Sequence, residues 1–386
     1  MTESAATDPR LALSFCGLHF ATPLVLLSGC VGFGEEYTRV AGFSNRDAGA
    51  VCLKGTTGEP RLGNWPHRVY ETPGGMLNAI GLQNPGVDKV VREILPTLDF
   101  TETRFIANVS GSTVEEYHEV TRRFDDSPID AIEINISCPN VKEGGVAFGN
   151  DPEMSARVVA VSFSETRFIA NVSGSTVEEY IEVTRRFDDS PIDAIEINIS
   201  CPNVKEGGVA FGNDPEMSAR VVAACRKATR KPLITKLSPN QTDIALNARR
   251  CIEAGTDGFS VINTLMGMAI DIESRTPVIG NNQGGLSGPA IKPIALLKVH
   301  QVARPHGIPI IGQGGVTTPE DAIEFLIAGA TAVGVGTALF YDPLVCRKIN
   351  AGILSYLDRH GLGSVGELTG TLRLHAPPVR APQCTC

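Results

Sequence analysis

Short apolar runs recur along the chain with helical patterns between most of them. They occupy residues 23–28, 50–54, 105–109, 131–137, 233–237, 258–263, 308–312 and 332–336. Each run is too short for a helix, and several are rich in Val and Ile, so each predicts a buried strand. Strands that alternate with helices join in parallel through right-handed crossovers. Eight such units predict a TIM (β/α)8 barrel. A doubly wound sheet is the runner-up fold.

One block breaks the pattern. Residues 102–160 are repeated almost letter for letter at 165–223, an offset of 63 positions, and within the block only His118 against Ile181 differs. Solenoid repeats diverge and need three or more copies, so two near-identical copies read as a recent duplication or an assembly error in the sequence. The eight runs count this block once. A closed eight-stranded barrel has no vacancy for a second β-α-β-α unit. The extra unit is therefore expected either to be extruded or to distort the barrel, with only one copy in the wall of a single domain spanning 1–386. Extrusion would expose apolar strand faces and unpaired edges. Val114, Tyr117, position 118 and Thr121 share a helix face by their spacing, and Ile181 suits a buried face better than His118. That leans towards the second copy, unless the position is half exposed and decides nothing.

Composition removes several functions. The chain has 386 residues, 42% of them apolar, and a net charge of −9. A full core is available, and no Lys/Arg run offers a nucleic-acid footprint. No stretch has the roughly 20 apolar residues of a membrane helix, and the N-terminus lacks a signal-peptide layout. Ten cysteines are scattered through the chain, a pattern that suits reduced cytosolic thiols. The closing Cys384 and Cys386 read as tail, since a zinc site needs four ligands. No metal site is expected.

In barrels the chemistry gathers at the C-terminal ends of the strands. Those ends, with the loops beside them, carry Ser28, Lys54-Gly55, Asn78-Ala79-Ile80-Gly81-Leu82, Asn108 with its copy Asn171, Asn135 with Asn198, Lys236, and Asn263-Thr264. Such a mouth is rich in carboxamides and lysines, without the His, Asp and Glu cluster of a hydrolase. Asn side chains both donate and accept, which suits a planar ring with alternating C=O and N–H groups. Lysines suit a carboxylate or a reduced flavin anion. The glycine turn Gly312-Gln313-Gly314-Gly315, the Thr318-Pro319 helix start and Gly336-Thr337 together predict a phosphate site between the last two strands. Cys138 and its copy Cys201 lie in a loop that can close as a lid, and a poised thiol can act as a base.

Together these segments resemble the class 1B dihydroorotate dehydrogenase catalytic subunits. The resemblance is carried in order by Lys54-Gly55-Thr56-Thr57, residues 78–85, residues 135–140 with their copy, Lys236-Leu237-Ser238-Pro239-Asn240, Asn263-Thr264, residues 284–288, residues 312–316 and Gly336-Thr337. It runs from about residue 11 to about residue 358, and the duplicated block is the departure from it. The resemblance implies FMN held by Ser28, Lys54, Gly55, Asn108 or Asn171, Asn135 or Asn198, Lys236, Ile262, Gly288, Gly314, Gly315, Gly336 and Thr337. It implies dihydroorotate held by Lys54, Asn78, Ala79, Ile80, Gly81, Leu82, Asn135 or Asn198, Asn263 and Thr264. Cys138 or Cys201 would be the base, with Lys54 beside it. Further implications are a cytoplasmic enzyme, a homodimer, and a partner subunit with FAD and an iron–sulfur cluster passing electrons to NAD. Three alternatives stay open: a flavin domain like that of dihydropyrimidine dehydrogenase, an inactive product of the duplication, and another phosphate-binding barrel such as an isomerase.

Overall fold

The computed structural model describes residues 8–15, 18–135, 158, 167–172, 176–188, 194–199, 213–241, 243–304 and 307–375. Its centre is a closed parallel barrel of ten strands. In chain order they are β1 (Leu24–Leu26), β2 (Ala50–Cys52), β3 (Arg104–Val109), β4 (Ala131–Asn135), β5 (Arg167–Val172), β6 (Ala194–Asn198), β7 (Leu233–Lys236), β8 (Gly258–Val261), β9 (Ile310–Gln313) and β10 (Ala332–Val335). Every predicted run forms a strand, and closure excludes the doubly wound sheet.

Both copies of the repeat stand in the wall, β3 and β4 from the first and β5 and β6 from the second. The expectation of one docked copy in an eight-stranded barrel is corrected accordingly: the barrel is distorted by widening. The physical reason lies in the joints. Strand β2 pairs with β3, and β6 pairs with β7; these are the joints that a barrel with a single copy would make. Only β4 against β5 is new, and it pairs in full from Ala131↔Arg167 to Asn135↔Asn171. Insertion thus leaves no edge unpaired, whereas extrusion would leave two.

A barrel's bore grows with its strand number. Small inward residues such as Ala50, Ala131 and Ala332 do not fill the wider lumen. They share a small apolar cluster with Val25, Ile106, Ile234 and two phenylalanines. Phe15 and Phe20 come from an antiparallel hairpin, Leu13–Phe15 with Leu18–Phe20, which plugs the N-terminal end. The larger core lies outside the wall, between strands and helices.

Seven helices of ten residues or more among the described residues cover the barrel: α1 (Val114–Asp125), α2 (Val177–Asp188), α3 (Pro215–Ala228), α4 (Ile244–Glu253), α5 (Lys292–Ala303), α6 (Pro319–Ala328) and α7 (Val345–His360). Thr113 caps α1 by accepting from the Glu116 N–H, and Val114, Tyr117, Val120, Thr121 and Phe124 turn inward. The same start recurs in α2, where Thr176 accepts from the Glu179 N–H. His118 and Ile181 are both half-buried, so the one difference between the copies does not select between them. A four-stranded antiparallel sheet rises from the loops after β2 and β8. It comprises Val69–Thr72, Gly75–Asn78, Gly284–Ser287 and Leu265–Gly267 and roofs part of the C-terminal mouth.

Candidate active site

The C-terminal mouth opens into a cavity of about 1630 Å³, larger than an ordinary ligand pocket of about 300–1,000 Å³. The excess follows from the widened bore, since the cavity reaches down to Phe15 and Phe20. Its upper rim brings together Ser28, Lys54, Asn78, Ala79, Ile80, Gly81, Asn108, Asn135, Asn198, Lys236, Ile262, Asn263, Thr264, Gly288, Gly314, Gly315, Gly336 and Thr337. Residues spread over three hundred positions of sequence therefore line one space.

Strand periodicity explains why they point inward. Asn108, Asn135, Asn198 and Lys236 each lie at or near the last position of a strand. Asn198 stands in register with Lys236, and Asn135 with Asn171. The amides are wired together. Asn135 Nδ2 donates to Asn108 Oδ1 at 3.4 Å, and Asn108 Nδ2 donates to Glu133 Oε2 at 2.7 Å. Each copy anchors its mouth asparagine from behind: Tyr117 OH donates to Asn135 O at 2.9 Å, and Tyr180 OH to Asn198 O at 3.2 Å. Lys54 Nζ reaches Gly81 O at 3.4 Å, which ties the roof segment to the β2 end. Asn78 Nδ2 donates to Gly285 O at 3.4 Å within the roof.

Two expected residues stand behind the cavity wall. A side chain at Gly55 would meet Asn108 Oδ1 at 3.0 Å, so glycine there lets Asn108 hold its position. Leu82 is buried and packs beside that same glycine. Cys138 and Cys201 lie outside the described residues. Asn171 is placed by its backbone in β5 alone.

The phosphate expectation needs one correction. Thr318 caps α6 in a reciprocal box with Asp321, but the Thr317 and Thr318 N–H groups both donate to Asp321 Oδ2 at 2.9 Å. The start of that helix is thereby satisfied by its own carboxylate. An anion's remaining place between the last strands is the glycine turn, where Gly314 and Gly315 have φ of 133° and 77°, facing Gly336 and the 3₁₀ turn Thr337–Phe340. Thr337 Oγ1 donates to Ser287 Oγ at 2.7 Å, and both hydroxyls line the cavity. This donor set fits a phosphate group, and the amide and lysine rim fits a flat ring bearing carbonyls, so the residues present suit FMN.

Sequence reasoning missed two residues. Glu133 and Glu196 line the same cavity, two residues before the mouth asparagines. Period-two alternation in Ala-Ile-Glu-Ile-Asn puts Glu and Asn on one face, and that signal was available. Burial raises both carboxyls; Lys236 pulls them back in part, and the Asn108 bond does so for Glu133. Glu196 is pushed up to about 7. Cys30 is likewise pushed up to about 11 by burial, opposed by Lys54.

The family model for dihydroorotate dehydrogenase matches residues 10–168 and again 162–357, the two matches overlapping where the second copy begins. The catalytic subunit of dihydroorotate dehydrogenase B (NAD(+)) from Geobacillus kaustophilus is 43% identical over 94% of this chain and 95% of its own. The protein of that name from Pelobacter propionicus is 42% identical over 94% and 99%. Among solved structures, the dihydroorotate dehydrogenase of Eimeria tenella, determined with ferulenol, superposes with a TM-score of 0.59 at 21% identity over 95% of this chain and 89% of that one, a likeness of fold.

Proposed function

The chain belongs to the dihydroorotate dehydrogenase family, and from that premise we propose how its site oxidises dihydroorotate to orotate in pyrimidine biosynthesis. The observation that carries the reading is the convergence of Lys54, Asn78, Asn108, Asn135, Asn198, Lys236 and Asn263 with the Gly314 and Gly336 turns on one cavity.

FMN, when bound, supplies the ring that accepts a hydride from C6 of the substrate. Gly314, Gly315, Gly336 and Thr337 would hold its phosphate. Ser28, Lys54, Gly55, Asn108, Asn171, Lys236, Ile262 and Gly288 would set the rest of the group. Asn78, Asn263 and Thr264, with the Ala79–Leu82 backbone, would grip the pyrimidine ring through its alternating donors and acceptors. One mouth asparagine, Asn135 or Asn198, would complete that grip. Lys54 would neutralise the substrate carboxylate and steady charge that grows as the C5 proton leaves. The thiolate of Cys138 or Cys201 removes that proton. The roof sheet would keep water from the reacting face.

The relatives' names describe a catalytic subunit that works with NAD(+). A partner subunit carrying FAD and an iron–sulfur cluster, a homodimeric core and a cytoplasmic home complete the proposal. Among the described residues no helix is long and apolar enough to cross a membrane.

The test is direct. Purified protein should be yellow, absorbing near about 450 nm as oxidised flavin does, and mass spectrometry of the released group should give FMN. Dihydroorotate should bleach it anaerobically; uracil and dihydrouracil should have no effect. A colourless protein that takes up no added FMN, or one bleached by dihydrouracil alone, would overturn the reading.

A further inference from the structure

One residue of the repeat meets the substrate side of the mouth in the first copy and its own helix in the second. Glu116 stands in the first turn of α1 and recurs as Glu179 in α2. Glu116 Oε1 accepts from the Gly58 N–H at 2.9 Å, and Oε2 accepts from the Ser112 N–H at 2.6 Å. Arg61 Nη2 lies 3.9 Å from the same Oε2 and donates to Ser112 Oγ. Gly58 and Arg61 belong to the loop that follows Lys54. A side chain at Gly58 would meet Glu116 Cγ at 3.1 Å, so glycine there lets the carboxylate approach. Glu179 instead accepts from the Thr176 N–H of its own helix start at 3.3 Å. The ring explains the difference: β3 borders β2, whereas β5 stands between β4 and β6.

The loop passes this anchorage on to the roof. Arg61 and Asn84 pair through their backbones, N–H to O at 2.9 and 3.1 Å. Asn84 is buried, and its side chain gathers the chain on both sides. Oδ1 accepts from the Thr57 and Gly86 N–H groups at 3.2 and 3.0 Å, and Nδ2 donates to Leu82 O at 2.9 Å. Arg61 and Asn78 to Gly81 line the cavity, and Lys54 Nζ reaches Gly81 O. A second tie runs from Asp88 to Arg123 of α1, but the Asp88 side chain is 60% exposed. Ion pairs so open to water contribute little. The Glu116 side chain is 18% exposed and holds two backbone donors by charge-assisted bonds, so it is the stronger anchor.

We propose that Glu116 is a positioning residue for substrate binding. From α1 it fixes the loop of residues 55–61, and through Arg61 and Asn84 it sets where Asn78 to Leu82 stand over the substrate. Glu179 takes no part in this, because α2 stands over a different joint of the ring. The role rests on the reading above that Asn78 to Leu82 grip dihydroorotate. The duplication supplies the control, since one substitution can be made at two equivalent helix starts. Glutamine keeps one acceptor oxygen and turns the other into an NH2 donor, so either Gly58 or Ser112 loses the partner of its N–H.

Two measurements on the full chain test it. The first is hydrogen exchange read by mass spectrometry. Peptides covering residues 55–62 should exchange about tenfold faster in Glu116→Gln and at the parent rate in Glu179→Gln. Equal behaviour of the two variants overturns the anchorage. The second is the orotate Kd, read from the spectrum of bound flavin, together with steady-state kinetics. Glu116→Gln should raise that Kd and the KM for dihydroorotate about tenfold. Its kcat should stay within about twofold of the parent's, as expected when uniform binding is lost. Glu179→Gln should leave Kd, KM and kcat unchanged. A faster-exchanging loop with unchanged Kd and KM overturns the role in binding. Asn78→Ala tells this apart from a failure of the underlying reading: if that variant also leaves Kd and KM unchanged, the grip of Asn78 to Leu82 is what fails, and the role falls with it. Should Glu116→Gln not fold, Ser112→Ala removes the acceptor of the Arg61 side chain and spares the carboxylate. It should raise KM severalfold, and an unchanged KM there overturns the role.

Discussion

The two copies of the repeat share their sequence and their local fold, yet they do different work because their neighbours differ. In the first copy, Glu116 accepts from the Gly58 N–H at 2.9 Å, and Arg123 meets Asp88 at 2.7 Å. It is thus joined to the segment that follows β2 and carries Lys54. In the second copy, Asp188 accepts from the Arg230 N–H at 3.1 Å, and the Cys225 thiol faces Tyr180 O. It is joined to α3 and the run-up to Lys236. Each copy keeps one of the two flanks that a single copy would have to serve. Identical residues therefore acquire different electrostatic surroundings, Glu133 beside Asn108 and Glu196 below Lys236. Position in the ring, and not residue type, assigns the roles.

The comparison breaks most severely if one copy is removed. Deleting residues 102–164 joins Thr101 to Glu165 and makes every remaining joint one that already exists in the sequence. We expect a soluble eight-stranded barrel with a smaller lumen, flavin content and turnover at least equal to the parent's, and a thermal midpoint higher by several degrees. An insoluble or colourless product would mean that the tenfold ring is needed for folding.

Next in size is the test of the two thiols. Substituting the base should cost on the order of 10²-fold or more in turnover. The larger loss is expected for Cys201→Ser, because its strand ends in register with Lys236, with Cys138→Ser near the parent rate. Equal partial losses in both, measured by single-turnover bleaching with dihydroorotate, would contradict exclusive use of one copy.

A smaller effect concerns stability and pH. The folded pKa of Glu196 lies above the unfolded one, so the native state holds more protons between about pH 4.3 and 7. Its contribution to stability is fully present below that window and is lost as pH rises through it. Urea midpoints should fall across the window by an amount worth about 1–3 kcal/mol, and Glu196→Gln should flatten the curve. A parent protein that grows more stable across the same window, with no change in Glu196→Gln, would refute the sign.

The finest probe is the pair of tyrosines. Tyr117→Phe and Tyr180→Phe each remove one hydrogen bond to a mouth asparagine carbonyl, worth about 1 kcal/mol. Similar losses in chemical denaturation are expected if both copies stand in the wall. A loss confined to one variant would show that only one copy is docked.

Much of this was legible in the chain. The eight apolar runs marked their strands, and the strand-end amides, Lys54, Lys236 and the glycine turns marked one mouth, because parallel strands deliver their C-terminal ends to the same side. The glutamates were legible too, through period-two alternation in Ala-Ile-Glu-Ile-Asn, but no local pattern says that they line the same cavity as Lys236. Asp321 was not legible as the occupant of its own helix start, since a capping box and an anion site have the same residue signature.

What the sequence alone determined was the set of units: which segments pair, which faces turn inward and which chemistry gathers at the rim, all consequences of local periodicity and residue type. How many units close the ring was decided only by tertiary structure. Closure depends on the sum of all strand joints, and a tenth strand is admitted when it leaves no edge unpaired. The same closure widened the lumen and set two distant carboxyls on one cavity with Lys236, a juxtaposition that no local pattern encodes.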